Sequence, residues 1–157
     1  MMSWCYAGFT RAELTELARH AFAETDLADR LHRELEPVFE FAGDAGLRVV
    51  VVSASPDPVV RAAVELWSIG AEHVTASRAA EEAGRILPRL AAPVPYAEAK
   101  PVALRALVGE AALIGSFGDN VFDIDLLRAA QLGVAIRPKP ALRVRLPELE
   151  GLVLLEG

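Results

Sequence analysis

Four consecutive valines, Val49 to Val52, constrain this chain more than any other feature. β-branched side chains are stiff at χ1 and favour extended backbone. A run of them without polar alternation reads as a strand buried on both faces. The apolar stretch extends from Leu47 to Val52, and strands of this kind belong to parallel sheets covered by helices. Ser55-Pro56-Asp57 then offers a cap residue and an early proline, and Val60, Ala63, Val64 and Trp67 recur at helical spacing before Gly70. Strand followed by helix is half of a βαβ unit.

The flanking segments extend the pattern. Thr10 and Glu13 form an S/T-x-x-E capping box, and Leu14, Leu17, Ala18, Ala21 and Phe22 follow at helical spacing. A second helix carries Leu31, Leu35, Val38, Phe39 and Ala42 on one side and stops in Gly43-Asp44-Ala45-Gly46. Beyond Gly70, a short strand is expected over His73 to Ala76. The stretch from Ser77 to Tyr96, with Pro88, Pro93 and Pro95, has poor periodicity and reads as loop with room for a hairpin. Lys100 to Val108 reads as helix, Ala111 to Ser116 as a buried strand and Val121 to Ala130 as helix. Gly133 to Ile136 and Leu152 to Leu155 read as short strands. The alternation predicts an α/β fold, a Rossmann-like parallel sheet with flanking helices.

The 157 residues, 53% apolar, lie within the usual size of one domain. A net charge of −6 offers no basic stripe for a phosphate backbone, so nucleic acid is excluded as an expected partner. No apolar run approaches the ~20 residues of a membrane span, and Met1 to Phe9 lacks the pattern of a secretion signal. A cytoplasmic location is the expectation. Cys5 is the single cysteine, which excludes an internal disulfide and a Cys-based zinc cage. His20, His32 and His73 lack metal-ligand spacing. Among sixteen basic residues two are lysines, Lys100 and Lys139, so a lysine near a site is informative.

In open α/β sheets ligands gather beyond the carboxyl ends of the strands. Two turns occupy such places. In Ser53-Ala54-Ser55-Pro56-Asp57 a hydroxyl and backbone N–H groups could hold a phosphate, although helix capping by Ser55 is the plainer alternative. In Gly118-Asp119-Asn120-Val121-Phe122-Asp123, the four-residue spacing at a helix start brings Asp119 and Asp123 toward one side. Hard oxygens of this kind suit magnesium. Capping by Asp119 and Asn120 is again the alternative, yet capping does not call for a second carboxylate.

In this order the motifs resemble those of the haloacid dehalogenase superfamily, in its phosphoserine-phosphatase-like branch. The likeness rests on Val49-Val50-Val51-Val52-Ser53 through Pro56, on Lys100 in Tyr96-Ala97-Glu98-Ala99-Lys100, and on Leu113-Ile114-Gly115-Ser116-Phe117-Gly118-Asp119-Asn120-Val121-Phe122-Asp123. Asp125 to Ala130, Gly133 to Ile136 and Pro138-Lys139-Pro140 resemble the stretch after that turn in members of the branch. The resemblance implies magnesium-dependent hydrolysis of a small phosphorylated metabolite through an aspartyl-phosphate. Ser53 and Ala54 would bind phosphoryl oxygens, Lys100 would neutralise nucleophile and phosphate, and Asp119 and Asp123 would serve the metal.

The family's nucleophile, the first aspartate of a D-x-D-x-T/V turn after an apolar strand, has no match ahead of Ser53. Asp26 and Asp29 lack a preceding buried strand, and Asp123-Ile124-Asp125 already belongs to the metal turn. Residues 1–45 therefore read as the remnant of a helical cap and residues 46–157 as the α/β core without its first strand. The chain reads as a truncated phosphatase, inactive as it stands. The alternative is a non-catalytic phosphate- or metal-binding or regulatory domain, pairing through the open sheet with a copy of itself or a complementing chain.

Overall fold

The computed structural model describes residues 5–25 and 31–156. Trp4, Asp26 and Asp29 lie outside these residues. The chain is a mixed α/β protein with parallel sheets and flanking helices, and it divides into two compact units, Met1–Val94 and Pro95–Gly157.

The first unit opens with α1 (Arg11–Glu24), and its capping box is formed in full. The Thr10 N–H donates to Glu13 Oε2 at 2.7 Å, and the Thr10 hydroxyl accepts from the Glu13 N–H at 3.2 Å. Leu14 and Ala18 are its buried positions, whereas Leu17 is half exposed at 52%. Next comes α2 (Glu36–Asp44), whose end determines where the valine strand begins. Gly46 adopts φ 63°, the Leu47 N–H reaches the Ala42 carbonyl at 2.7 Å and the Gly46 N–H that of Gly43 at 3.1 Å, which is a Schellman stop. Leu47 is thus spent on ending a helix. Strand β1 starts later than the residues predict and runs further, over Val51–Pro56, with Ser53 inside it.

The valines are half-buried rather than buried on both faces, because among the described residues β1 has a ladder with one neighbour, the parallel strand β2 (Val74–Ser77). Helix α3 (Asp57–Val64) follows at once. Its cap position is Pro56, without a side-chain cap, in place of the expected Ser55. Val60 and Val64 of α3 pack with Val74 and Ala76 of β2 as the core of this unit, and α1 lies against α3.

The region from Ser77 to Tyr96 holds an antiparallel hairpin of β3 (Ala79–Glu82) and β4 (Arg85–Leu90). Its two-residue turn, Ala83-Gly84, has φ 49° and 76°, the left-handed pair that matches strand twist. The register slips between Glu81↔Ile86 and Ala79↔Leu90. Pro88, which has no N–H for a ladder, falls in that slip.

The second unit contains α4 (Ala99–Val108), β5 (Gly115–Gly118), α5 (Ile124–Arg128), β6 (Leu132–Ile136), α6 (Pro140–Arg145) and β7 (Leu152–Leu155). Its sheet, β5-β6-β7, is parallel throughout. The strand expected over Ala111 to Ser116 is displaced to Gly115–Gly118 and is not buried. Ile114 is 47% exposed, and among the described residues β5 pairs with β6 alone. The helix expected over Val121 to Ala130 begins as a 3-10 turn, Val121–Asp123, before α5. Leu127, Ala135 and Leu142 are fully buried and pack with Ile124 and Leu149. Gly133 permits the close approach of α5 to β6, since a Cβ there would meet the Leu127 carbonyl oxygen at 2.6 Å. β1 and β5 belong to different sheets.

Candidate functional site

The carboxyl end of β5 leads into Gly118-Asp119-Asn120, and the local chemistry fixes each side chain. Asn120 is extended (φ −121°, ψ 152°) and caps the 3-10 turn, its Oδ1 accepting from the Phe122 N–H at 3.5 Å. Asp123 returns the bond, with Oδ2 accepting from the Asn120 N–H at 3.0 Å. Capping therefore does employ the second carboxylate. The other oxygen, Oδ1, accepts from the Lys100 ammonium. Both members of this pair are withdrawn from water, with side chains 12% exposed for Lys100 and 9% for Asp123. Gly118 makes room for it, because a Cβ there would lie 2.6 Å from the Asp123 Cβ.

Lys100 stands in the first turn of α4. The chain enters that helix through Ala97 in the left-handed region (φ 47°), and the Lys100 N–H donates to the Ala97 carbonyl at 2.9 Å. Beside this entry Tyr96 and Phe122 stack with ring centroids 4.5 Å apart.

Asp119 has a different partner. Its Oδ2 lies 2.8 Å from the Lys139 ammonium, and its carbonyl accepts from the Lys139 N–H at 2.8 Å. The sequence singled out Lys139 by the scarcity of lysine and, within Pro138-Lys139-Pro140, by the resemblance; the pairing with Asp119 depends on β6 delivering residue 139 beside the end of β5. The structure thus brings together Lys100 with Asp123 and Asp119 with Lys139, all in the second unit.

Ser53 and Ala54 belong to the first unit. The Ser53 hydroxyl accepts from the Ser55 N–H at 3.1 Å, a local turn that leaves the hydroxyl hydrogen free for an acceptor. Ala54 lines a cavity of about 220 Å³, together with Arg11, Leu14, Asp57 and Ile86. Asp57, 1% exposed, was legible only as a helix-start residue. Its Oδ2 accepts from Arg11 Nη1 at 2.5 Å and Arg61 Nε at 2.8 Å, tying α1 to α3. Arg85, by sequence a loop arginine, donates to the Gly8 carbonyl at 2.6 Å.

As a donor set for magnesium, the turn offers hard carboxylate oxygens. Asp119 fits, being 30% exposed at the end of its strand. Asp123 has both oxygens engaged, one by the Lys100 ammonium and one by the Asn120 N–H. No group of three or more His, Cys, Asp or Glu side chains converges among the described residues. No helix among them is long and apolar enough to cross a membrane.

A family model of haloacid dehalogenase-like hydrolases matches residues 1–128. No curated protein sequence matches the chain. Among solved structures, a protein of unknown function from Bordetella pertussis Tohama I is 22% identical with a TM-score of 0.81, over 98% of this chain and 70% of its own. A functionally unknown protein from Anaerococcus prevotii is 18% identical with a TM-score of 0.79, over 99% of this chain and 56% of its own. A HAD family hydrolase from Salmonella enterica serovar Typhi is 18% identical with a TM-score of 0.63, over 95% of this chain and 48% of its own. At these identities the likeness is one of fold.

Proposed function

The chain belongs to the haloacid dehalogenase-like hydrolases, and we propose that it is the phosphatase-type part of such an enzyme, of the phosphoserine-phosphatase-like kind, acting in the cytoplasm on a small phosphate monoester with magnesium. The observation that carries the reading is the withdrawn Lys100–Asp123 pair beside the Gly118-Asp119 turn. Transfer of a phosphoryl group needs little covalent help from a protein beyond a nucleophile; it needs positioning and fixed positive charge.

Lys100, oriented by Asp123, supplies that charge at the start of α4. The Ser53 hydroxyl and the Ala54 N–H donate to phosphoryl oxygens. Asp119 is the chain's ligand for magnesium, which when bound neutralises further charge on the phosphoryl group. The aspartyl nucleophile is not among these 157 residues, since no D-x-D-x-T/V turn follows an apolar strand in them. By themselves they hold phosphate and metal without turnover.

Hydrolysis of an aryl phosphate with magnesium tests this. The 157-residue chain is expected to be inactive, and a fusion placing an apolar strand ending in D-x-D-x-T ahead of Met1 is expected to gain activity that Asp119→Ala removes. Turnover by the unfused chain, lost on Asp119→Ala, overturns the inactivity. No turnover by a folded fusion favours the second reading, a binding or regulatory domain. It pairs through the open strand edge with a copy of itself or with a complementing chain.

A further inference from the structure

We propose that Lys139 is a resident counter-ion of Asp119, occupying the carboxylate until a divalent cation displaces it; the inference rests on reading Asp119 as a cation ligand. The chain has two lysines, and each is paired with one of the two carboxylates of the same turn. The pairs differ in kind. Lys100–Asp123 is withdrawn from water, and its carboxylate is also bound by a backbone N–H, so it is a permanent fixture. Lys139–Asp119 is open to water, with side chains 57% and 30% exposed. An exposed pair of this sort is weak and screened, and therefore exchangeable.

The rest of the segment holds the lysine in place independently of its ammonium. The Lys139 N–H donates to the Asp119 carbonyl, the Arg137 N–H donates to the Leu155 carbonyl at 2.8 Å, and the Lys139 carbonyl accepts from Leu142 and Arg143. Arg137 is left-handed, with φ 39°, an uncommon and costly state for a side-chain-bearing residue. Pro138 and Pro140 flank the lysine. Loss of the Nζ contact would therefore leave the Cα of Lys139 where it is, and the flexible side chain alone would swing aside.

Lysine suits this role better than arginine. Its ammonium is a point charge without the bidentate fork that locks arginine to a carboxylate. A divalent cation on the Asp119 carboxylate would set a double positive charge beside the Lys139 ammonium, and that repulsion couples metal binding at Asp119 to release of the ammonium. The apparent affinity for magnesium is lowered by the resident charge.

Selective 13C labelling of lysine gives one signal for each of the two side chains. The Asp119→Asn variant is expected to move the Lys139 signal and leave that of Lys100. Magnesium chloride is expected to move the Lys139 signal saturably in the native chain, unlike sodium chloride of equal ionic strength. Titration calorimetry of Lys139→Met is expected to show several-fold tighter magnesium binding, with Lys139→Arg remaining weak and Asp119→Asn abolishing it. A Lys139 signal indifferent to Asp119→Asn overturns the proposal, as does Asp119-dependent binding of equal strength in native and Lys139→Met chains. The latter result leaves the metal reading of Asp119 intact. Absence of magnesium binding in native and Lys139→Met chains alike removes the metal reading as well.

Discussion

At the scale of single residues, Lys100 and Asp123 show how one carboxylate can serve fold and site together. Oδ2 completes a helix cap while Oδ1 holds the ammonium. Removing one partner of a withdrawn pair leaves a stranded charge, which costs about 3–5 kcal/mol. Lys100→Met is expected to lose stability of this order in urea unfolding. The double variant Lys100→Met with Asp123→Asn should recover part of it, because the stranded charge is then gone. A different acid sensitivity belongs to Glu13. The Thr10 backbone N–H, and after it the Thr10 hydroxyl, hold its carboxyl below the usual glutamate range. A depressed folded-state pKa stabilises the fold above the unfolded value, and the contribution is lost as pH falls through the folded value. Glu13→Gln is accordingly expected to lower stability slightly at neutral pH and leave it nearly unchanged at acid pH, which flattens the acid limb of a thermal-stability profile.

At the scale of elements, the hairpin β3-β4 and the Schellman stop after α2 were the least legible parts. Hairpin turns with both central residues left-handed favour Asn-Gly or Asp-Gly, and Ala83-Gly84 carries only half of that signal. Ala83→Asn is expected to raise stability by about 1 kcal/mol, since asparagine tolerates the left-handed region better than alanine. Thermal unfolding checks it, and a loss of stability would mean that the Ala83 conformation is not strained. The stop after α2 explains why β1 begins at Val51 rather than Leu47. The Leu47 N–H is consumed by the Ala42 carbonyl, and a strand cannot use it again. By contrast, the capping box of α1 and the strand Leu152–Leu155 lie where local pattern placed them. Their signals are confined to a few adjacent residues.

At the scale of the whole molecule, the sequence by itself determined the α/β class and the strand-helix alternation apart from the β3-β4 hairpin and α6, and it pointed to the Gly118-to-Asp123 turn as the place to look for chemistry. These depend on local propensity, apolar periodicity and the placing of polar residues after strands. Burial was beyond it. A valine run can say that a strand is fit to be covered on both faces, but whether it is covered depends on which strands become its neighbours, and β1 and β5 each have one among the described residues. Only the tertiary structure decided the partners of the two carboxylates, Lys100 for Asp123 and Lys139 for Asp119. Those contacts join residues 23 and 20 positions apart, and their formation requires α4, β5 and β6 to be in place first.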